Sequence, residues 1–238
     1  MRLGIMQPYF FPYLGHFALI AHTDQWIVFD VTQYTPRSWM NRNRVLHPQN
    51  GWNYISAPLI TSSTTLLTHE VHVNDLTATQ RSVSGKLSHY RRRAPYYETV
   101  MDLVSQAFAR AKDNSLVQLN IAGLASVCEY LGLPFNYRVC SELGLDLHSV
   151  SKPGGWAPEI CRQLGAGAYL NPVNGRALFD TQDFAQLDIQ LEFMQFSNVQ
   201  YDTSPYVFEP GLSILDVMMW NAPERIVQLL NSHAQITQ

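Results

Sequence analysis

Leu3-Gly4-Ile5-Met6-Gln7-Pro8-Tyr9-Phe10-Phe11-Pro12-Tyr13-Leu14-Gly15-His16-Phe17 decides the fold. It begins as a short apolar strand over Arg2 to Gln7. Pro8 ends that strand, because proline has no amide hydrogen and a fixed φ. An aromatic loop runs on to Pro12. Gly15 to His22 then reads as a short helix, with Phe17, Ile20 and Ala21 at helical spacing. Trp26-Ile27-Val28-Phe29-Asp30-Val31 is a second strand, apolar over its first four residues, as strands covered on both faces are. Strand, helix and strand in about 30 residues make a βαβ unit with a right-handed crossover. A strand that stops beside a helix N-terminus makes a binding crevice in such a sheet.

Working outward, Tyr34 to Arg44 is polar, aromatic and basic without a period, and leads into a strand over Arg44 to His47. Asn50-Gly51 is a hairpin signal, and Asn53 to Leu59 is the returning strand. Leu66 to Val73 alternates and predicts another strand. From Thr77 the pattern turns helical: Ser82 to Arg92, then Tyr96 to Lys112 behind Pro95, then Ser115 to Tyr130 closed by Gly132 and Pro134. Strands follow at Phe135 to Val139, Ala168 to Leu170 and Ile189 to Phe196. Helices fall at Pro158 to Leu164, around Arg176 to Phe184, over Ser213 to Trp220 and over Glu224 to Ser232. The pattern predicts an α/β protein with a doubly wound, mainly parallel, five-stranded Rossmann-like sheet, and with a β-hairpin and helical insertion after the second strand. A single domain would span 1–238, with a β-rich insertion at 36–75 and a helical block at 77–133 as a subdomain within it.

The chain is 46% apolar, and its charged fraction of 15% is low against the usual ~25%. Net charge is −3, so nothing global argues for nucleic acid and no DNA partner is expected. Arg91-Arg92-Arg93 is a local basic cluster. Three cysteines, Cys128, Cys140 and Cys161, form no CxxC pair and fit a reducing compartment. The first residues lack the unbroken apolar stretch of a signal peptide, and no segment reaches the roughly 18 apolar residues of a membrane span. A soluble, cytoplasmic protein with no membrane insertion is expected. A homodimer is compatible with the sequence, which does not fix the oligomeric state.

The strongest candidate chemistry lies in Gln7 to His16. Gly15 and His16, at a helix N-terminus with free amides, suit a nucleotide triphosphate. The rival reading is a packed aromatic loop with a satisfied histidine. Asp30 ends a strand near the crevice, where it would hold an amine, a ribose or Mg²⁺, or else cap a turn. Asn41-Arg42-Asn43-Arg44 offers two guanidinium forks and two amides, which suit phosphate or carboxylate, or else a solvated hairpin approach. Lys152, ahead of Gly154-Gly155, and Asn174 and Arg176, after a short strand, sit on strand-to-helix loops that suit phosphate. Arg91 to Arg93 beside Tyr90, Tyr96 and Tyr97 would read single-stranded RNA by stacking, or else form a solvated helix end. No Cys/His cluster has zinc spacing and no Gly-x-Ser-x-Gly is present, so no metal site is assigned.

Tyr13-Leu14-Gly15-His16 resembles the His-x-Gly-His signature of nucleotidyltransferases and class I synthetases, with Tyr13 in place of the first His. Gln33-Tyr34 after the second strand is similar to the Gln-Phe pair of pantothenate synthetase-like enzymes. Across nearly the whole chain the sequence resembles the WbqC-like protein family. The resemblance is carried by Ile5 to Gly15, by Asn41 to Arg44, by Ala94-Pro95-Tyr96-Tyr97, by Ile160 to Ala166, by Ala168-Tyr169-Leu170 and by Phe208 to Asp216. That family occurs in gene clusters for surface polysaccharide such as O-antigen, and transfer of glycine to an amino sugar has been proposed for it. The chain departs from the family pattern at His16, where an aromatic is usual, and at Val31, where a second Asp is usual. It departs again at Asn171-Pro172, in place of Ser-Gly, and over Ser197 to Tyr206, which lacks a His-Pro-x-Tyr pattern.

Together these resemblances imply a nucleotidyltransferase-like fold and an aminoacyl (glycyl-type) transferase or ATP-dependent amide ligase. It would act on a small amine, such as a nucleotide-linked amino sugar, with an amino acid as second substrate. ATP with Mg²⁺ is the implied cofactor, and no zinc, flavin or NAD is expected. Gly15, His16, Lys152, Asn174 and Arg176 would face the nucleotide. Gln7, Tyr9, Tyr13, Gln33, Asn41 and Asn43 would hold substrate. His16, Asp30, Arg42 and Arg44 would be catalytic, the arginines by neutralising charge in the transition state. Two alternatives stay open: an aminoacyl-tRNA-dependent acyltransferase, and a non-catalytic sugar-nucleotide-binding partner protein.

Overall fold

The computed structural model describes residues 1–238. β1 (Arg2–Met6) is followed by α1 (Leu14–Ala21) and β2 (Gln25–Val28), and the two strands pair in parallel. β3 (Arg42–Leu46) and β4 (Trp52–Ser56) form a separate antiparallel hairpin. Three helices come next: α2 (Leu76–Leu87), α3 (Tyr97–Arg110) and α4 (Leu116–Leu131). β5 (Tyr137–Val139) then returns to pair in parallel with β2.

α5 (Trp156–Leu164) leads to β6 (Ala168–Pro172), which pairs in parallel with β1. α6 (Thr181–Ala185) leads to β7 (Gln190–Phe196), parallel to β6. α7 (Ile214–Trp220), α8 (Pro223–Ser232) and β8 (Ala234–Thr237) close the chain, with β8 antiparallel to β7. The order of the large sheet is β5-β2-β1-β6-β7-β8. The chain winds outward from β1 on one side, then restarts on the other with β6. The winding therefore reverses between β1 and β6, where the carboxyl ends of the strands open a crevice.

This is the expected doubly wound, mainly parallel sheet, with a sixth strand added at its edge. The sheet separates a core of 47 buried residues from one of 13. The helical block, the hairpin, α1, α7 and α8 all share the larger core, so the insertion lies on one face of the sheet.

Two local readings change. The strand expected over 66–73 does not form. Thr68–Glu70 is a 3-10 turn instead, because its donors are drawn to the loop after β2: Thr68 N–H and Oγ1 both donate to the carbonyl of Thr32, at 2.9 Å each. The first helix of the block starts earlier than expected. Asp75 caps it by accepting from Ala78 N–H at 2.8 Å, and the stretch Ser88–Arg92 winds as a 3-10 turn. No helix is long and apolar enough to cross a membrane.

Candidate functional site

The loop from Pro8 to Pro12 has no regular structure, so its main-chain groups need partners elsewhere. Asn120 of α4 donates its side-chain amide to the carbonyls of Pro8 and Met40, both at 2.8 Å. Asn43 of β3 donates to Phe10 O at 3.1 Å and Phe11 O at 2.9 Å. Ser213 Oγ donates to Phe11 O at 2.7 Å, and Ile214 N–H to Pro12 O at 2.8 Å. Phe10 N–H donates to Trp39 O at 2.8 Å. Held in this way, Phe11 adopts φ +40°, a left-handed conformation rare for a bulky residue. Its ring packs on Gly123 of α4, where an added Cβ would lie 3.2 Å from it. Phe10 and Phe11 are thereby sunk in the core, while Tyr9 and Tyr13 line a cleft.

That cleft encloses about 220 Å³ and is walled by Tyr9, Tyr13, Trp39, Asn43, Arg44 and Gly211. Strand alternation puts Arg42 and Arg44 on one face of β3, with Trp52 and Tyr54 on the same face of β4. The Arg44 guanidinium carbon lies 5.4 Å from the Trp39 ring centre and 5.2 Å from that of Trp52. Arg42 lies 4.4 Å over Tyr54. Neither arginine pairs with a carboxylate. The Nε of each is buried without a hydrogen-bond partner, and Arg44 Nη2 donates only to Gly211 O at 3.2 Å. Two cations held by aromatic faces and lacking counter-charge are chemically suited to an anion. Burial pushes the phenols of Tyr9 and Tyr13 up from their ordinary value, so both stay protonated donors.

Past Tyr13 and Gly211 the cleft adjoins a smaller cavity of about 60 Å³ that reaches Tyr201 and Phe208. That in turn opens on a shallow bowl formed by Gln200 to Phe208. The groove wall over residues 197–212 is absent from the sequence-based candidates.

The remaining candidates fall elsewhere. His16 does not face the cleft. It is 1% exposed, with its ring 5.0 Å from that of Trp26 and 5.5 Å from that of Tyr9. Burial pushes its imidazole down to about 3, so it is neutral, and Nε2 has no partner. The phosphate contact expected there has no open path. Gly15 serves a close approach of a different kind: an added Cβ would lie 2.4 Å from the Tyr13 ring, which covers the start of α1.

Asp30 is buried and accepts from Ser141 N–H at 2.9 Å and Ser141 Oγ at 2.6 Å, joining the ends of β2 and β5. Its carboxylate is thereby used within the protein. Gln7 donates to Thr32 Oγ1 at 3.3 Å, and Gln33 is exposed beside Leu67. Asn41 accepts from Tyr34 Oη and donates to Ala57 O, so both asparagines of the Asn-Arg-Asn-Arg run are spent on the protein while neither arginine has a carboxylate partner. Lys152 pairs with Asp183 at 2.6 Å, and that bond raises its pKa. Asn174 is exposed, and Arg176 lies over Phe193 at 4.1 Å with Nη2 donating to Gln238 O. None of these three lines the cleft or its extension. Arg91 to Arg93 are exposed, but Tyr90 and Tyr97 are buried, so the alternative of an RNA-stacking platform is reduced to Tyr96.

No group of three or more His, Cys, Asp or Glu is arranged to hold a metal ion. The three cysteines are free and buried, and burial pushes each thiol up to about 12.

The Asn-Arg clamp, the aromatic loop and the block ending at Asp216 are thus joined in one place. The family comparison covers all of them, matching residues 7–228 to the WbqC-like protein family. The chain belongs to that family. Among curated proteins, "Uncharacterized protein Rv1507c" of Mycobacterium tuberculosis is 27% identical over 218 residues, which is 91% of this chain and 92% of that protein. No solved structure matches. This WbqC-like chain therefore places its cleft on residues within the matched span, from Tyr9 to Gly211.

Proposed function

We propose that the Arg44 cleft binds the anionic part of a nucleotide-linked amino sugar and that the chain transfers an aminoacyl group to its amine. The observation that carries this reading is Arg44 in the cleft wall, stacked on aromatic rings and without a carboxylate partner, with Arg42 likewise unpaired on the same face of β3. A diphosphate takes bidentate hydrogen bonds from such guanidiniums, and a base or sugar ring finds Trp39 and Tyr13, about two-fifths exposed, beside them. Amide-forming chemistry is suggested only by the resemblance to the WbqC-like family. The nucleotide contact expected at Gly15 and His16 does not fit, because Tyr13 covers one and the core encloses the other. No step is therefore assigned to ATP, and the amino acid enters as an activated acyl donor such as aminoacyl-tRNA.

A second reading is binding without turnover. It is favoured by the cleft lining, which contains no carboxylate, histidine or cysteine to act as a base or nucleophile. Calorimetric titration with UDP and a UDP-amino sugar, followed by mass spectrometry after adding glycyl-tRNA, or glycine with ATP, separates the two. A new amide on the sugar supports transfer. Tight binding with no product supports the second reading. Equal binding by the wild type and Arg44→Ala overturns both.

A further inference from the structure

Asp216, in the first turn of α7, is wholly buried and has no cationic partner. It is held by two phenols. Tyr90 Oη donates to Oδ1, and Tyr201 Oη donates to Oδ2 at 2.6 Å. Burying a carboxylate without a cation is expensive, and packed apolar groups would fill the space at no such cost. Burial pushes this carboxyl up to about 6, although both phenols act to hold it down.

What the carboxylate joins explains its presence. Tyr90 Oη also accepts from Leu46 N–H at 2.9 Å, and Leu46 ends the strand that carries Arg42 and Arg44. At the start of α7, Ser213 N–H donates to Arg44 O at 2.8 Å. Tyr201 lies at the other end of the groove, where its ring meets Phe208 edge-on at 5.2 Å and lines the cavities beyond Tyr13. One buried group thus ties the arginine strand to the far wall. A second tether on the same segment, Tyr206 Oη to His89 O at 3.0 Å, bypasses Asp216.

We propose that Asp216 is a positioning residue that fixes the Tyr201 ring as a wall for the ring moiety of a phosphorylated ligand whose anionic group sits at Arg44. This inference rests on the anion-binding reading of the cleft. Each carboxylate oxygen takes one phenol, so the rotation of Tyr201 is set relative to β3 through Tyr90 and not by its own segment alone. The ligand class is a phosphorylated sugar or nucleoside long enough to pass Tyr13.

The test uses the full chain, with Tyr201→Phe, Asp216→Asn, Tyr206→Phe and Arg44→Ala, and two probes, inorganic pyrophosphate and UDP. Amide hydrogen exchange over residues 197–212 is read without ligand. Tyr201→Phe keeps the ring and removes only the tether, so it remains informative if Asp216→Asn fails to fold. Pyrophosphate is expected to bind the wild type and Tyr201→Phe alike, whereas UDP binding falls on the order of tenfold in Tyr201→Phe and Asp216→Asn. Exchange near Tyr201 is expected to rise in both of those variants and to stay unchanged in Arg44→Ala, while Tyr206→Phe raises exchange only about its own position. Unchanged exchange in Tyr201→Phe, or equal loss of the two probes, overturns the proposal. If the wild type binds neither probe, the anion reading fails and the ligand role with it, and the exchange measurement alone then decides whether Asp216 positions Tyr201.

Discussion

The side-chain amide of Asn120 donates to the main-chain carbonyl of Pro8 at 2.8 Å, across 112 residues of chain. It makes the same bond to Met40 and so fastens the aromatic loop to the segment ahead of β3. Replacing Asn120 with Ala leaves two buried carbonyls without a donor. The expected loss is about 2–4 kcal/mol of unfolding free energy, seen as a lower denaturant midpoint with an unchanged slope. Asn120→Asp should be at least as harmful, because a carboxylate faces those carbonyls with no proton to give.

Arg44→Ala should weaken binding of an anionic nucleotide by on the order of 100-fold. Arg44→Lys should recover little of this, since an ammonium cannot stack between Trp39 and Trp52 or present a planar fork. Quenching of tryptophan fluorescence on titration follows the event directly, because both indoles flank the guanidinium. Full affinity in Arg44→Lys would show that only charge matters there.

Gly15→Ala tests the cover that Tyr13 places on α1. The added methyl would lie 2.4 Å from the Tyr13 ring, so the ring must swing into the cleft it borders. The folded state should persist, with nucleotide affinity reduced about tenfold. The double variant Gly15→Ala, Tyr13→Ala should bind better than Gly15→Ala alone.

Two buried titratable groups drive stability in opposite directions with pH. The folded pKa of His16 is lowered to about 3 from 6.5, so the unfolded chain gains a proton that the folded one refuses. Stability from His16 is full above 6.5 and is lost as pH falls toward 3, by about 3 kcal/mol at pH 4. The folded pKa of Asp216 is raised to about 6 from 3.8, so the folded chain keeps a proton that the unfolded one releases. Its contribution therefore falls as pH rises from 3.8 through 6, by about 3 kcal/mol in all. His16→Phe should make the protein more stable at pH 4.5 than at pH 7, and Asp216→Asn should steepen the acid loss. Chemical denaturation between pH 4 and 8 checks both signs, and parallel curves for the wild type and His16→Phe would rule out a neutral buried imidazole.

The sheet was legible because β1, β2 and β6 carry short apolar runs at Leu3 to Met6, Trp26 to Val28 and Ala168 to Leu170, and β7 is mostly buried although Glu192 interrupts it. β8 was not legible, since Ala234-Gln235-Ile236-Thr237 is short and half-buried and gains its identity only by pairing with β7. Alternation over residues 66–73 pointed to a strand, yet the nearest acceptor was Thr32, and that fact lies in tertiary space. The same division holds at the site. Arg44 announced itself by residue type, while Asn43 and its neighbour Asn41 looked equally available and were in fact already occupied. His16 looked like a ligand because it opens a helix, but side-chain direction sends it inward against Trp26. Asp216 sat at the end of a block marked only by resemblance, Tyr201 in a segment that departs from the family pattern, and nothing local tells that a phenol fifteen residues upstream will reach a buried carboxylate.

The partners that hold the Pro8–Pro12 loop come from Asn43, Asn120 and Ser213, so they emerge during synthesis in that order and over most of the chain. The first strand and helix leave the ribosome early, yet their loop cannot settle until α7 has been made. A nascent chain ending before residue 213 would carry the sheet's first unit with its aromatic residues unconfined. Closure of such distant contacts is slow, and exposed phenylalanines in the interval invite misassociation. The part of the protein written first is therefore the part completed last, and any cellular factor that guards this chain should be needed most before its final helices emerge.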